Sequence, residues 1–230
     1  MAIGSDGTNV NVGSVRGCIP YLEKLLRRAV EWNICLLHGN ELPFRAEFAF
    51  YDGKTSFKGT LGKELQTDLT MRKPVPFAPI KNDAFPLLLE EAVCDLSSDQ
   101  EYLYDICWAI IEGRMDEDFA FRQPGTLCHS RWLTLANRVL RAYAATKNPS
   151  KALIRLAHIV IEFYAPSWFW IKAHPLSKDG PENLLKMIEF SRKLLEEEQA
   201  VARKAIQRNA FYAHPECILK SMLANEDQTL

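Results

Sequence analysis

Between residues 72 and 80 the chain reads "RKPVPFAPI", with Pro74, Pro76 and Pro79 inside six residues. A regular helix cannot form there, because each proline removes a backbone donor and clashes with the preceding turn. This stretch divides the chain. Residues 53 to 82 are polar, glycine-bearing and then proline-rich, which predicts a long surface connection. The residues before it alternate between strand and helix patterns, and those after it are helical almost throughout. The boundaries read from this are an α/β unit over 1–60, a proline-rich connection over 61–83 and a helical domain over 84–230. The expected fold class is mostly α with a small α/β N-terminal part.

The N-terminal order comes from periodicity. Residues 1–5 predict a strand. Val15, Ile19, Leu22, Leu25, Leu26 and Ala29 recur at helical spacing, which predicts a helix across 12–30. Arg27 and Arg28 fall in its last turn, where they suit the helix dipole. "EWNICLLHG" predicts a buried strand closed by Gly39, then a short helix ending at Asp52 and Gly53. Strand, helix, strand and helix make one βαβ-type unit with a helix after it, which implies a sheet. Beyond residue 84 the pattern predicts helices at 85–93, 98–112, 127–146, 149–164, 182–195 and 197–208, with a short one near 214–223. "NPSKA" and "SKDGPENLL" are helix-start signals.

Composition excludes some classes of function. Apolar residues make up 47% and charged residues 25% of 230, enough for a sizeable core. The net charge of −1 gives no overall attraction to nucleic acid, so such a role needs a local patch. Six cysteines (Cys18, Cys35, Cys94, Cys107, Cys128 and Cys217) form no C-x-x-C pair and come after no signal segment. They read as reduced thiols in an intracellular protein, nuclear or cytoplasmic. The richest apolar run, "IVIEFYAPSWFWI", is too short for a bilayer and is interrupted by Pro166.

Three stretches fall in the order of a known pattern: "GSDGTN" with Asp6 at a strand end, "CLLH" with Cys35 and His38, and "HSRWLTLANRVLR" with Arg131 and Trp132 opening a helix. This order resembles the catalytic domain of hAT-type DNA transposases, a ribonuclease H-like fold carrying a helical insertion. Longer strings such as "SDGTNVNVG" and "CLLHGNELPFR" are similar to a set of invertebrate proteins associated with mobile elements. The resemblance implies a partial ribonuclease H-like unit with the insertion after it. The family transfers DNA strands with two divalent metals about 3.5–4 Å apart, held by three carboxylates, and Mg2+ favours such hard oxygen ligands. Asp6 corresponds to one of the three. The first carboxylate belongs upstream of Met1. Glu226 and Asp227 lie in a polar tail with no element to aim them. The expectation is therefore an apparently truncated, catalytically inactive remnant with residual DNA association, taking up Mg2+ only if absent residues complete the site.

Each candidate residue also has a plainer reading. Asp6 suits a helix cap or an Asx turn as well as a relic metal site. Cys35 and His38, with Cys128 and His129, offer zinc-type donors, or the parts of a Cys-His hydrolase, yet no nucleophile turn accompanies them. Otherwise Cys35 packs in a strand and His38 sits at its end. Trp132 either stacks on a displaced base or fills the core. Arg131, Arg138 and Arg141 at i, i+7 and i+10 form either a phosphate-tracking stripe or a solvated face. Lys172 and His174 extend that stripe only if the fold brings them close. "FYAPSWFW" reads as core. The charges of "RKLLEEEQAVARKAIQR" read as exposed i, i+4 pairs. Two expectations contrast with this: a helical interaction module without a nucleic-acid role, whose apolar helix faces and open sheet edge at 32–37 pair with a partner or a second copy, and an active enzyme that completes its site in trans by oligomerising.

Overall fold

The computed structural model describes residues 2–5, 9–53, 73–117, 122 and 131–208. Asp6, Cys128, His129, Cys217, Glu226, Asp227 and the helix expected near 214–223 lie outside these residues.

Strand β1 (Ala2–Ser5) pairs in parallel with β2 (Glu31–Ile34), Ala2 opposite Glu31 and Ser5 opposite Ile34. The Cys35 amide extends the ladder by donating to the Ser5 carbonyl at 2.9 Å. No third strand joins the pair among the described residues. Between the strands lie a single turn, α1 (Asn9–Val12), and α2 (Cys18–Leu26). Gly17 starts α2, where a Cβ would come within 2.5 Å of the Gly13 backbone, so only glycine fits. Ile19 and Val30 form a small cluster with Ile3 and Val12. The Glu23 carboxylate accepts the Val30 amide at 3.0 Å and so ties α2 to the entry of β2.

The strand expected to run to Gly39 stops at Ile34. From Leu36 the chain is already helical, and α3 continues to Asp52. The burial pattern explains this. Gly39 with Asn40, Pro43 with Phe44, and Glu47 with Phe48 recur every four residues, forming one helical stripe turned to the core. Cys35 and His38 therefore occupy the cap and first turn of a helix rather than a strand end.

After the connection, the expected helix at 85–93 shrinks to α4 (Glu90–Cys94), and residues 85–89 are not helical. The helix α5 (Ser98–Glu112) matches its expected limits. Gln100 accepts the Ser97 amide at its start. Gly113 ends it at φ +79, with the amides of Gly113 and Arg114 both donating to Ala109. Next comes α6 (Arg131–Ala144).

A long rod is built from α7 (Lys151–Ile159), a π turn (Val160–Tyr164) and α8 (Ala165–Ala173). Ser150 caps its start by accepting the Leu153 amide at 3.1 Å. The rod runs through Pro166, which the sequence pattern predicts as a break. In the π turn the Ala165 amide reaches back five residues to the Val160 carbonyl. Pro166 has no amide to reach Ile161 in the same way. Asn82 supplies the missing donor, its Nδ2 lying 2.7 Å from the Ile161 carbonyl. Asn40 likewise donates to the Tyr164 carbonyl at 3.1 Å. The last described elements are α9 (Gly180–Ser191) and α10 (Glu196–Arg208).

The molecule is mostly helical, with one main core. Helix α3 packs on α10, on α7 and on α8, while α6 lies between α5 and α7. Phe163, Tyr164, Trp168 and Phe169 of the rod are buried, as expected for the aromatic run. No described helix is long and apolar enough to cross a membrane.

Candidate functional site

Of the residues proposed for DNA contact, none of those with a described side chain (Trp132, Arg138 and Arg141) is exposed. Helix α6 is enclosed on most sides, with Leu133 through Ala136 and Val139 through Ala144 buried together with Asn137. Trp132 is 7% exposed and meets Phe44 and Phe48 edge-on at 6.2 and 6.3 Å between ring centroids. Its indole fills the core against α3. Arg141 is 6% exposed and faces Tyr102, where its charge partly offsets the effect of burial on that phenol. Arg138 is half-buried. Arg131 opens α6, and its side chain lies outside the description. The i, i+7, i+10 spacing is real, but Arg141 lies buried and Arg138 half-buried on the face it defines.

Nor do Lys172 and His174 extend such a patch. Lys172 donates to the Asp95 carboxylate at 2.6 Å. His174 stacks on Trp170 at 4.3 Å and places Nδ1 2.9 Å from the Trp170 carbonyl. His38 lies 3.9 Å from a Glu41 carboxylate oxygen, one turn along α3. Cys35 is exposed. Among the described residues no three His, Cys, Asp or Glu side chains converge as a metal site. The zinc set with Cys128 and His129, and the relic metal role of Asp6, fall on residues outside the description.

Two polar nodes stand out instead. The first joins α3, α7 and α10. Glu198 is fully buried, although its run of charges predicts an exposed helix. Arg155 grips it with Nε and Nη2 at 2.8 and 2.7 Å, Tyr51 donates at 2.6 Å and the Leu195 amide at 2.8 Å. The last bond is half of a capping box, since Glu198 is the third residue of α10. Burial raises the Glu198 pKa, but these donors outweigh it and hold the carboxylate below its usual range.

Glu47, also fully buried, lies beside this pair. Its pKa is pushed up to about 8, first by burial and then by the Glu198 charge. The Ala202 backbone and Arg155 offset part of this. Neither Glu47 oxygen has a hydrogen-bond partner of ordinary geometry among the described residues. One guanidinium faces two carboxylates, so one of them keeps its proton at neutral pH.

The second node lies at the π turn. Asn82 accepts from Lys193 Nζ at 2.8 Å and from the Ala84 amide at 3.2 Å while it donates to Ile161. Burial lowers the Lys193 pKa, and Glu162 and Asp83 partly restore it. On the rod, His158 pairs with Glu162 at 2.9 Å. This node brings together an amine, an imidazole and a carboxylate. The amine, however, is committed to Asn82, and the node pins the π turn to the 82–85 segment and to the end of α9. Neither node is visible in the sequence, because the bonds that join its separate elements span 43 to 147 residues.

An apolar surface that spacing pointed to and packing leaves open lies on α2. Of its apolar stripe only Ile19 is buried. Tyr21 and Leu25 are 67% and 69% exposed, with Leu22 and Leu26 also exposed.

Compared with known proteins, the chain matches no family model, no curated protein and no solved structure.

Proposed function

We propose that this chain is a non-catalytic, transposase-derived helical module that docks another polypeptide through its N-terminal strand–helix–strand unit. One observation carries the reading. A parallel strand pair is ordinarily covered on both faces and flanked by further strands. Here two strands stand without others among the described residues, and the helix joining them turns Tyr21, Leu22 and Leu25 to solvent. The order parallel strand, helix, strand, helix agrees with the partial ribonuclease H-like unit that the hAT resemblance implies.

Residual DNA association is the reading set aside, because Trp132 and Arg141 are held in the core. A binding series with duplex DNA from low to high salt, run on the wild type and on Leu25→Asp, tests the choice. Only weak, non-specific binding is expected, unaffected by the substitution. Tight binding with a steep salt dependence would overturn the reading, since that slope counts displaced counterions at phosphates.

A further inference from the structure

A second exposed apolar patch lies on the helical part. Residues 85–89 lead into α4 and lie outside any helix or strand. Phe85 and Leu88 point inward, and the Leu88 amide donates to the Tyr104 hydroxyl at 3.1 Å. This pins Leu87 and Leu89 outward, 83% and 77% exposed. Glu90 and Glu91, both exposed, come immediately after in the first turn of α4. The patch is therefore two leucines with an acidic border.

The α2 patch has the opposite border. Cys18, Tyr21, Leu22 and Leu25 share one side of the helix at i, i+3, i+4 and i+7. Lys24 in its last turn and Arg27 at its end are both exposed and give this end of the helix a basic border. Arg27 stands in the left-handed conformation at the helix end, φ 52.

We infer that the partner of α2 is a second copy of this chain, docked head to tail, with Leu87 and Leu89 of one copy on Tyr21 and Leu25 of the next. This rests on the docking role of α2 proposed above. Charge complementarity chooses the occupant, because Lys24 and Arg27 meet Glu90 and Glu91, whereas α2 against α2 would set cation on cation. A contact between two different patches is heterologous, so each end of a growing assembly keeps one free patch and the copies close into rings or extend as open chains.

Mixing two single-patch variants in sedimentation velocity tests this. Leu25→Asp disables one patch and the pair Leu87→Asp, Leu89→Asp disables the other. All three positions are exposed, and circular dichroism checks that the variants fold. The wild type should associate as its concentration rises. Each variant alone should stay monomeric or associate at least tenfold more weakly, since each loses an apolar anchor. Their equimolar mixture should give a dimer that grows no further. Lys24→Glu and Glu90→Lys should each weaken wild-type association and restore it when mixed. A wild type that stays monomeric, or a mixture that fails to dimerise while the wild type associates, overturns the inference. If the wild type is monomeric yet α2 still crosslinks to a different polypeptide, the docking role stands and only the choice of partner fails.

Discussion

Arg155 and Glu198 meet through two parallel hydrogen bonds, Nε to Oε1 at 2.8 Å and Nη2 to Oε2 at 2.7 Å, joining α7 to α10. Glu198 has no solvent to fall back on. Removing its partner leaves a buried charge held only by Tyr51 and one amide. Arg155→Ala should therefore lose about 3–5 kcal/mol in urea unfolding. Arg155→Met combined with Glu198→Leu should recover much of that loss, because the uncompensated charge goes with its partner.

Glu47 sets the pH dependence of the same interface. The groups acting on it are Glu198 and Glu197 from α10, Arg155 from α7 and, through Glu198, Tyr51 on its own helix. Its folded pKa of about 8 lies above the ordinary 4.5, so the folded state holds the proton more tightly than the unfolded chain. The stability this gives is full below pH 4.5 and declines as pH rises towards 8. The decline is on the order of 4 kcal/mol. Glu198 acts in the opposite sense, losing its contribution only as the solution turns acidic. Glu47→Gln should flatten the fall in urea midpoint between about pH 5 and 8 and leave the acid limb in place.

Asn82 faces two ways, donating to Ile161 and accepting from Lys193. Asn82→Ala orphans the buried Ile161 carbonyl and frees the Lys193 ammonium to solvent, and should cost about 1–3 kcal/mol. Asn82→Asp keeps an acceptor for Lys193 but no longer donates to Ile161. Hydrogen exchange should then rise in the π turn while α5 stays protected.

Trp132→Ala should destabilise by about 3–5 kcal/mol, as expected for a large ring lost from a packed core. Trp132→Phe should cost less and leave any DNA affinity unchanged. A selective loss of DNA binding in the phenylalanine variant, with stability intact, would restore the stacking role.

With Mg2+ or Mn2+ the chain is expected to show no nuclease or strand-transfer activity, measured on labelled duplex. Cleavage that disappears in Asp6→Asn would reinstate the catalytic lineage.

Much of the helical part is legible in the sequence because its signals are local. Ser97 with Gln100 and Gly113 mark both ends of α5, and Ser150 marks the start of the rod. The first half of α3 reads as strand because "CLLHGN" is short and apolar, and length alone does not separate strand from helix there. Its repeat shows only when Asn40, Phe44 and Phe48 are read together. The passage of the rod through Pro166 is not legible, because the donor that makes it tolerable comes from Asn82, 79 residues from Ile161 in sequence. The candidate site divides in the same way. Spacing places Arg131, Arg138 and Arg141 on one side of α6, but only packing shows that α5 and α7 enclose that helix. Glu198 sits among acids that look solvated, and its burial depends on Arg155 and Tyr51.

The most direct measurement of the docking claim is photocrosslinking from a benzoylphenylalanine placed at Leu25, compared with one at Lys204, which is exposed on α10. The account predicts discrete polypeptide adducts from position 25 and none from position 204. Equal labelling at both sites, or no adduct at position 25, would contradict it.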